Sequence, residues 1–239
     1  MDPTMSPVIG HRGIASLTPE NTLAGIQKAA DTGLRWIEMD VTLLADSTPV
    51  MFHDARLERT TGSKGYIDKI NTDQARALDA GSWFSSEFAG EKIPLLKDAL
   101  ALIKQTGMSL NLELKPNRCN PVELASQTLQ TIKDTQFPTD QLLISSFCNK
   151  SLTYYRHRCD HLLGCLFKSL PGNWQRQAEA LKAISIHVNA KTLREQQARL
   201  IKAEGYELYC YTVNDHGQAL ILRQWGVDGC FSDVPQALL

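Results

Sequence analysis

Two histidines, three carboxylates, an arginine and a lysine recur at short spacings in the first half of the chain. They are His11 and Arg12 in VIGHRG, Glu38 and Asp40 in WIEMDV, His53 in MFHD, and Glu113 with Lys115 in LNLELKP. Each group ends or interrupts a short apolar run. If those runs are strands, residues two apart share a side, so Glu38 faces with Asp40 and Glu113 with Lys115. Three inward carboxylates repel one another strongly without a cation. A hard divalent ion removes the conflict, and oxygen-only ligands suit Mg2+ or Ca2+ rather than zinc. Beside it, Arg12 can grip a phosphate through its planar fork and Lys115 can act as a point charge. Two histidines can move protons to and from phosphoester oxygens. Taken singly, a histidine after a strand, a Glu38–Asp40 rim or a lysine neutralising Glu113 is ordinary structure. Their concentration at successive strand ends is what predicts metal-assisted phosphodiester chemistry.

Such a set must be delivered by several strands ending at one place. Eight short apolar runs are read as strands, at residues 8–10, 36–41, 110–114, 142–147, 162–167, 184–189, 207–213 and 227–231. Amphipathic stretches between them predict helices over 20–31, 95–106, 122–134, 150–156, 173–181, 193–203 and 215–225. Nearly continuous apolar strands alternating with helices indicate a parallel sheet buried on both faces. Eight such units in 239 residues fit a (β/α)8 TIM barrel, an α/β fold whose active sites lie at the carboxyl ends of the strands. A doubly wound open sheet is the alternative with the same strand count. One segment breaks the period: a further short strand at 48–54 and a polar, glycine-dotted stretch to residue 94. It predicts an insertion after the second barrel strand, at about 54–94, within a single domain spanning 1–239.

Composition narrows the partners. With 25 basic and 26 acidic residues the net charge is −1, so no global field points to nucleic acid or an anionic membrane. The opening MDPTMSPV lacks the features of a signal peptide, and no run of about 18 apolar residues follows, so no stable membrane association is expected. Six cysteines without metal or redox spacing fit a reducing, cytoplasmic setting. A small-molecule diester is the expected partner, and oligomeric state is left open.

The ordered motifs HRG, PENT, IEMDV, FHD with LERTTGSKG, AGSW, LLKDAL, LNLELKP, LLISSF, ISIHVN, YTVND and WGVDGCFSD resemble the glycerophosphodiester phosphodiesterase family across nearly the whole chain. More specifically, they resemble its short cytoplasmic bacterial type. The resemblance implies a barrel that splits glycerophosphodiesters, such as glycerophosphocholine or glycerophosphoethanolamine, into glycerol 3-phosphate and an alcohol. It implies Glu38, Asp40 and Glu113 as metal ligands, His11 and His53 as the acid/base pair, and Arg12 and Lys115 on phosphate. It also implies Phe147 as an apolar wall and Tyr211 in a slot where many relatives carry tryptophan. Attack by water and attack by the substrate's own glycerol hydroxyl both fit these residues.

Thr18 is expected to cap the first helix, with Glu20 or Asn21 orienting His11 or a ligand. Lys168 and His187 are further pocket candidates, His187 with packing as its other reading. His157, His161 and His216 are expected to face solvent. A phospholipase-D-like or lysophospholipid phosphodiesterase on the same barrel is the rival reading, with Trp83, Phe84 and Phe88 as its apolar rim. A sugar-phosphate aldolase or isomerase would need an enolate-forming base or a Schiff-base lysine and would release no alcohol, and a silent diester-binding protein would not require both histidines.

Overall fold

The computed structural model describes residues 4–239; the first three residues of MDPTMSPV, read above for a leader, lie outside the described residues. In chain order the strands are β1 (Val8–Gly10), β2 (Trp36–Leu43), β3 (Pro49–Met51), β4 (Ser109–Leu114), β5 (Leu142–Ser146), β6 (Leu162–Phe167), β7 (Ser185–Asn189), β8 (Glu207–Tyr211) and β9 (Gly229–Ser232). The helices are α1 (Leu23–Asp31), α2 (Glu58–Thr61), α3 (Thr72–Ala77), α4 (Leu96–Thr106), α5 (Pro121–Thr135), α6 (Asn149–Arg156), α7 (Trp174–Leu181), α8 (Glu195–Ala203) and α9 (His216–Gln224). Parallel pairing runs β1-β9-β8-β7-β6-β5-β4-β2, and β1 pairs with β2 to close the ring. This is a (β/α)8 barrel, with β3 added antiparallel to the edge of β2.

The physical reasons are local. All eight residues of β2 are buried, as the continuous apolar run requires for a strand covered on both faces. In α4 the buried Leu96, Ala99, Leu100 and Ile103 recur at helical spacing and pack against the barrel core. That helix ends at Gly107, whose φ of 72° is the left-handed conformation glycine adopts freely. Strand bounds differ from the expected ones where pairing decides. β2 runs on to Leu43 because Val41, Thr42 and Leu43 pair with Met51, Val50 and Pro49. β8 stops at Tyr211, and β9 starts at Gly229 rather than at residue 227.

The insertion has its own buried apolar cluster, in which Phe52, Leu57, Ile67, Ala75, Ala80 and Ile93 pack together beside Leu44, Val50 and Leu95. Its short helices α2 and α3 sit on that cluster, Leu57 and Ala75 being fully buried.

The first helix corrects an expectation. It begins at Leu23, not near residue 20, and its cap is Thr22, whose side chain accepts the Gly25 N–H at 3.1 Å. Asn21 has φ of 55° and so breaks any helix started from Thr18. Thr18 is buried and donates instead to the Ile14 carbonyl.

Candidate active site

The barrel register brings the acids together. Asp40 on β2 lies opposite Glu113 on β4, and Glu38 lies opposite Asn111. Glu38, Asp40 and Glu113 are 4%, 1% and 8% exposed, and each offers a carboxylate oxygen within 4.8 Å of the others. At that separation each like-charged pair costs roughly 3 kcal/mol at an effective dielectric constant of 20, more than one hydrogen bond returns. Burial, then Asp40 and Glu113, hold the Glu38 carboxyl well above its ordinary range. Burial and Asp40 likewise raise Glu113 to about 7. Asp40 goes the other way: burial opposes its ionisation, but Lys115 and Arg12 prevail and take it down to about 2. Lys115 Nζ lies 3.2 Å from Glu113 and 3.7 Å from Asp40, and Arg12 Nε lies 3.6 Å from Asp40. Glu38 Oε1 is buried with no hydrogen-bond partner among the described residues. Three buried carboxylates and an orphaned carboxylate oxygen fit a hard divalent cation.

The turn after β1 presents the next pair. The His11 N–H continues the ladder by donating to the Ser232 carbonyl at 2.8 Å, and the Gly13 N–H donates to the Glu38 carbonyl at 3.1 Å. Between them Arg12 takes the left-handed conformation, φ 53°, and donates its own N–H to Glu38 Oε2 at 3.0 Å. The turn needs glycine before it, since a Cβ on Gly10 would sit 2.1 Å from the Gly13 carbonyl oxygen. Within PENT, Thr22 caps α1 while Glu20 and Asn21 serve this turn. Asn21 donates to Asp40 Oδ2 at 2.9 Å and accepts the Asp40 N–H at 3.0 Å. Glu20 binds the Arg12 guanidinium at 2.8 Å. Glu20 and Asn21 therefore orient Arg12 and Asp40, not His11.

Each histidine is gripped through Nδ1 by a carboxylate. His11 Nδ1 is 2.6 Å from Asp233 Oδ1, and His53 Nδ1 is 2.6 Å from Asp54 Oδ1. The hydrogen bond from His53 holds Asp54 far below its usual range; burial opposes the shift, and Arg59 adds to it. Asp233 is lowered too, its partner His11 overcoming the effect of burial. The Asn117 side chain donates to the His53 carbonyl at 3.1 Å, so the backbone is fixed as well as the ring.

All of this opens into one cavity of about 730 Å³ at the carboxyl ends of the strands. His11, Arg12, Glu38, His53, Glu113 and Lys115 line one side, with Asn111 below, while Asp40 is sealed beneath them. Phe147 and Tyr211 meet edge to face with ring centroids 5.8 Å apart and form an apolar wall. Lys168, Asn189, Lys191, Thr192 and Asn214 also line the cavity, Asn214 donating to Asp233 Oδ2 at 2.8 Å.

Of the other histidines, His187 takes its packing reading and His161 departs from expectation. His187 is fully buried and does not line the cavity; its Nε2 is 2.9 Å from Ser185 Oγ, and its ring packs on Tyr209 and Phe231. Burial lowers its pKa to about 3, so it stays neutral in the barrel interior. His161 is half-buried, its Nδ1 2.9 Å from the Tyr155 hydroxyl, because that hydroxyl is itself buried and needs a partner. His157 and His216 are exposed.

Sequence reasoning missed Asp233, Arg59, Asn189, Lys191 and Asn214. Asp233 had a usable signal: in CFSD it follows the last strand, as His11 follows the first.

The pattern of the glycerophosphoryl diester phosphodiesterase family matches residues 11–237 of this chain. A glycerophosphodiester phosphodiesterase of Caldanaerobacter subterraneus subsp. tengcongensis is 31% identical over 97% of this chain and 96% of its own. A glycerophosphodiester phosphodiesterase of Bacillus altitudinis is 28% identical over the same shares, 97% and 96%. Among solved structures, an Oleispira antarctica phosphodiesterase in complex with the product sn-glycerol-3-phosphate aligns with a TM-score of 0.95. It is 38% identical, over 98% of this chain and 95% of that one.

Proposed function

The chain belongs to the glycerophosphoryl diester phosphodiesterase family, and from that premise we propose that it hydrolyses glycerophosphodiesters to glycerol 3-phosphate and an alcohol. Glycerophosphocholine and glycerophosphoethanolamine are the representative substrates. The observation that carries the reading is the meeting of Glu38, Arg12, Lys115, His11 and His53 on one cavity wall, over a sealed Asp40. The product held by the Oleispira antarctica relative is the one this chemistry releases.

In this proposal Arg12 and Lys115 take the phosphate oxygens, one as a fork and one as a point charge. His11 and His53 are the acid/base pair: one removes the proton of the attacking oxygen and the other protonates the departing alcohol. Asp233 and Asp54 hold the Nδ1 atoms, which leaves each Nε2 to exchange that proton. Glu38, Asp40 and Glu113 would hold a divalent cation, Mg2+ or Ca2+, whose contribution is Lewis-acid neutralisation of the phosphate. Phe147 and Tyr211 supply the apolar wall for the glycerol carbons. The cluster of Phe52, Leu57 and Ile67 beside the barrel residues Leu44 and Val50 supports reading 1–239 as one domain. All six cysteines are free thiols, which supports a cytoplasmic location; among the described residues no helix is long and apolar enough to cross a membrane.

The rival phospholipase-D-like or lysophospholipid reading draws on the exposed Trp83, stacked edge to face on the half-buried Phe84. One assay separates them: purified protein with a divalent cation against glycerophosphocholine, glycerophosphoethanolamine and lysophosphatidylcholine, with the released choline or ethanolamine measured for all three and glycerol 3-phosphate for the first two. We expect release from the first two. Turnover confined to lysophosphatidylcholine would replace the proposal with its rival.

A further inference from the structure

Arg59 belongs to no strand end and does not line the cavity. It sits on α2 in the insertion, 39 residues from Glu20, yet its guanidinium makes three short ionic hydrogen bonds. Two go to Glu20, Nη1 to Oε2 at 2.6 Å and Nη2 to Oε1 at 2.7 Å. The third runs from Nε to Asp54 Oδ2 at 2.6 Å. Glu20 in turn holds Arg12, and Asp54 holds His53. The result is one unbroken chain, Arg12–Glu20–Arg59–Asp54–His53, in which every link is 2.8 Å or shorter.

This chain joins two groups of different duty. Arg12 is delivered by β1 of the barrel, and His53 by the segment after β3 that opens the insertion. Only a planar group with separate donor edges can hold a carboxylate bidentately and a second carboxylate at once, which an ammonium cannot do. The backbone of Arg59 is anchored from below: its neighbours Leu57 and Thr60 are buried, and α2 ends in a left-handed turn at Gly62.

We propose that Arg59 is a positioning residue for the reaction, fixing the phosphate-gripping Arg12 and the proton-transferring His53 relative to one another. The insertion is then part of the catalytic geometry and not only a cover. This inference rests on the proposed function for its kinetic reading, and on geometry alone for its structural one.

The test compares wild type with Arg59→Lys and Arg59→Ala by steady-state kinetics on glycerophosphocholine with saturating divalent cation, alongside thermal unfolding midpoints and the NMR signals of the His53 ring. Misplacement of reacting groups by about 1 Å costs on the order of 100-fold. We therefore expect Arg59→Ala to lose about 10- to 100-fold in kcat, Arg59→Lys to lose nearly as much, and added guanidinium ion to restore part of the Arg59→Ala loss. The His53 ring signals should shift in both variants. Normal kcat and unshifted ring signals in Arg59→Lys, which keeps the charge and is the variant suited to folding, would overturn the proposal. A lower unfolding midpoint with kcat unchanged would assign Arg59 to stability alone and overturn it equally. A wild-type protein without turnover counts against the proposed function, and the His53 ring signals then decide the positioning role by themselves.

Discussion

Along the β1 to β4 side of the cavity the charged groups are tied into partners: Arg12 to Glu20 and Asp40, His53 to Asp54, His11 to Asp233, Lys115 to Glu113. Along the β6 to β8 side, Lys168 and Lys191 are exposed and make no ion pair among the described residues. That side is stitched through its backbone instead. The Thr192 hydroxyl donates to the Lys168 carbonyl at 2.7 Å and the Tyr211 hydroxyl to the Phe167 carbonyl at 2.9 Å. The contrast separates two needs. Groups that handle reacting atoms must be held before substrate arrives, because orientation is where the rate is gained. Groups that attract or seat a substrate arm can stay mobile, since a charge acts over several ångströms without fixed geometry.

The comparison breaks first at the histidines. His11→Ala and His53→Ala should each cost at least about 100-fold in kcat, measured with saturating substrate and cation; near-normal turnover in both would dissolve the distinction between the two sides. Next come the acids. Glu38→Gln should raise the cation concentration giving half-maximal activity by about 10-fold or more, since even outer partners of metal ligands are worth 10- to 100-fold in affinity.

The same acids set a pH dependence. Burial and Asp40 raise Glu113 to about 7, so without a cation the fold is favoured while this carboxyl is protonated. That stability is lost as pH rises from the ordinary carboxylate value toward about 7, where Glu113 ionises in the folded state. A bound cation reverses the penalty. The rise in unfolding midpoint on adding Mg2+ or Ca2+ should therefore be larger at pH 8 than at pH 5.5, and an equal rise at both would contradict this picture. The smallest effect is expected on the loose side. Lys168→Ala and Lys191→Ala should raise KM by about 2- to 5-fold, the scale of an exposed charge contact, with kcat unchanged.

How much of this was legible in the chain depends on distance along it. The barrel strands read clearly because β2 and β4 are mainly apolar, and the charged Glu38, Asp40 and Glu113 within them pointed to the site. Glu38 with Asp40 and Glu113 with Lys115 followed from two-residue periodicity alone. Helix α1 began later than expected because Asn21 serves Asp40 in a left-handed conformation, a tertiary demand that local capping preference does not contain. Arg59 was invisible for the same reason on a larger scale: its partner Glu20 lies 39 residues away and no periodicity links them. Asp233 was readable in principle, by extending to the last strand the rule applied to the first. Asn189 ends β7 and was readable by the same rule, whereas Lys191 comes from the connection after it, whose approach to the cavity only barrel closure reveals.

The central claim is that the tied side of the cavity hydrolyses glycerophosphodiesters with a divalent cation held by Glu38, Asp40 and Glu113. The direct measurement is glycerol 3-phosphate release from glycerophosphocholine by chelator-stripped protein as Mg2+ or Ca2+ is added back. The account predicts no release before addition and saturable recovery with either or both ions, shifted to higher concentration in Glu38→Gln. Full turnover in the presence of chelator would contradict it.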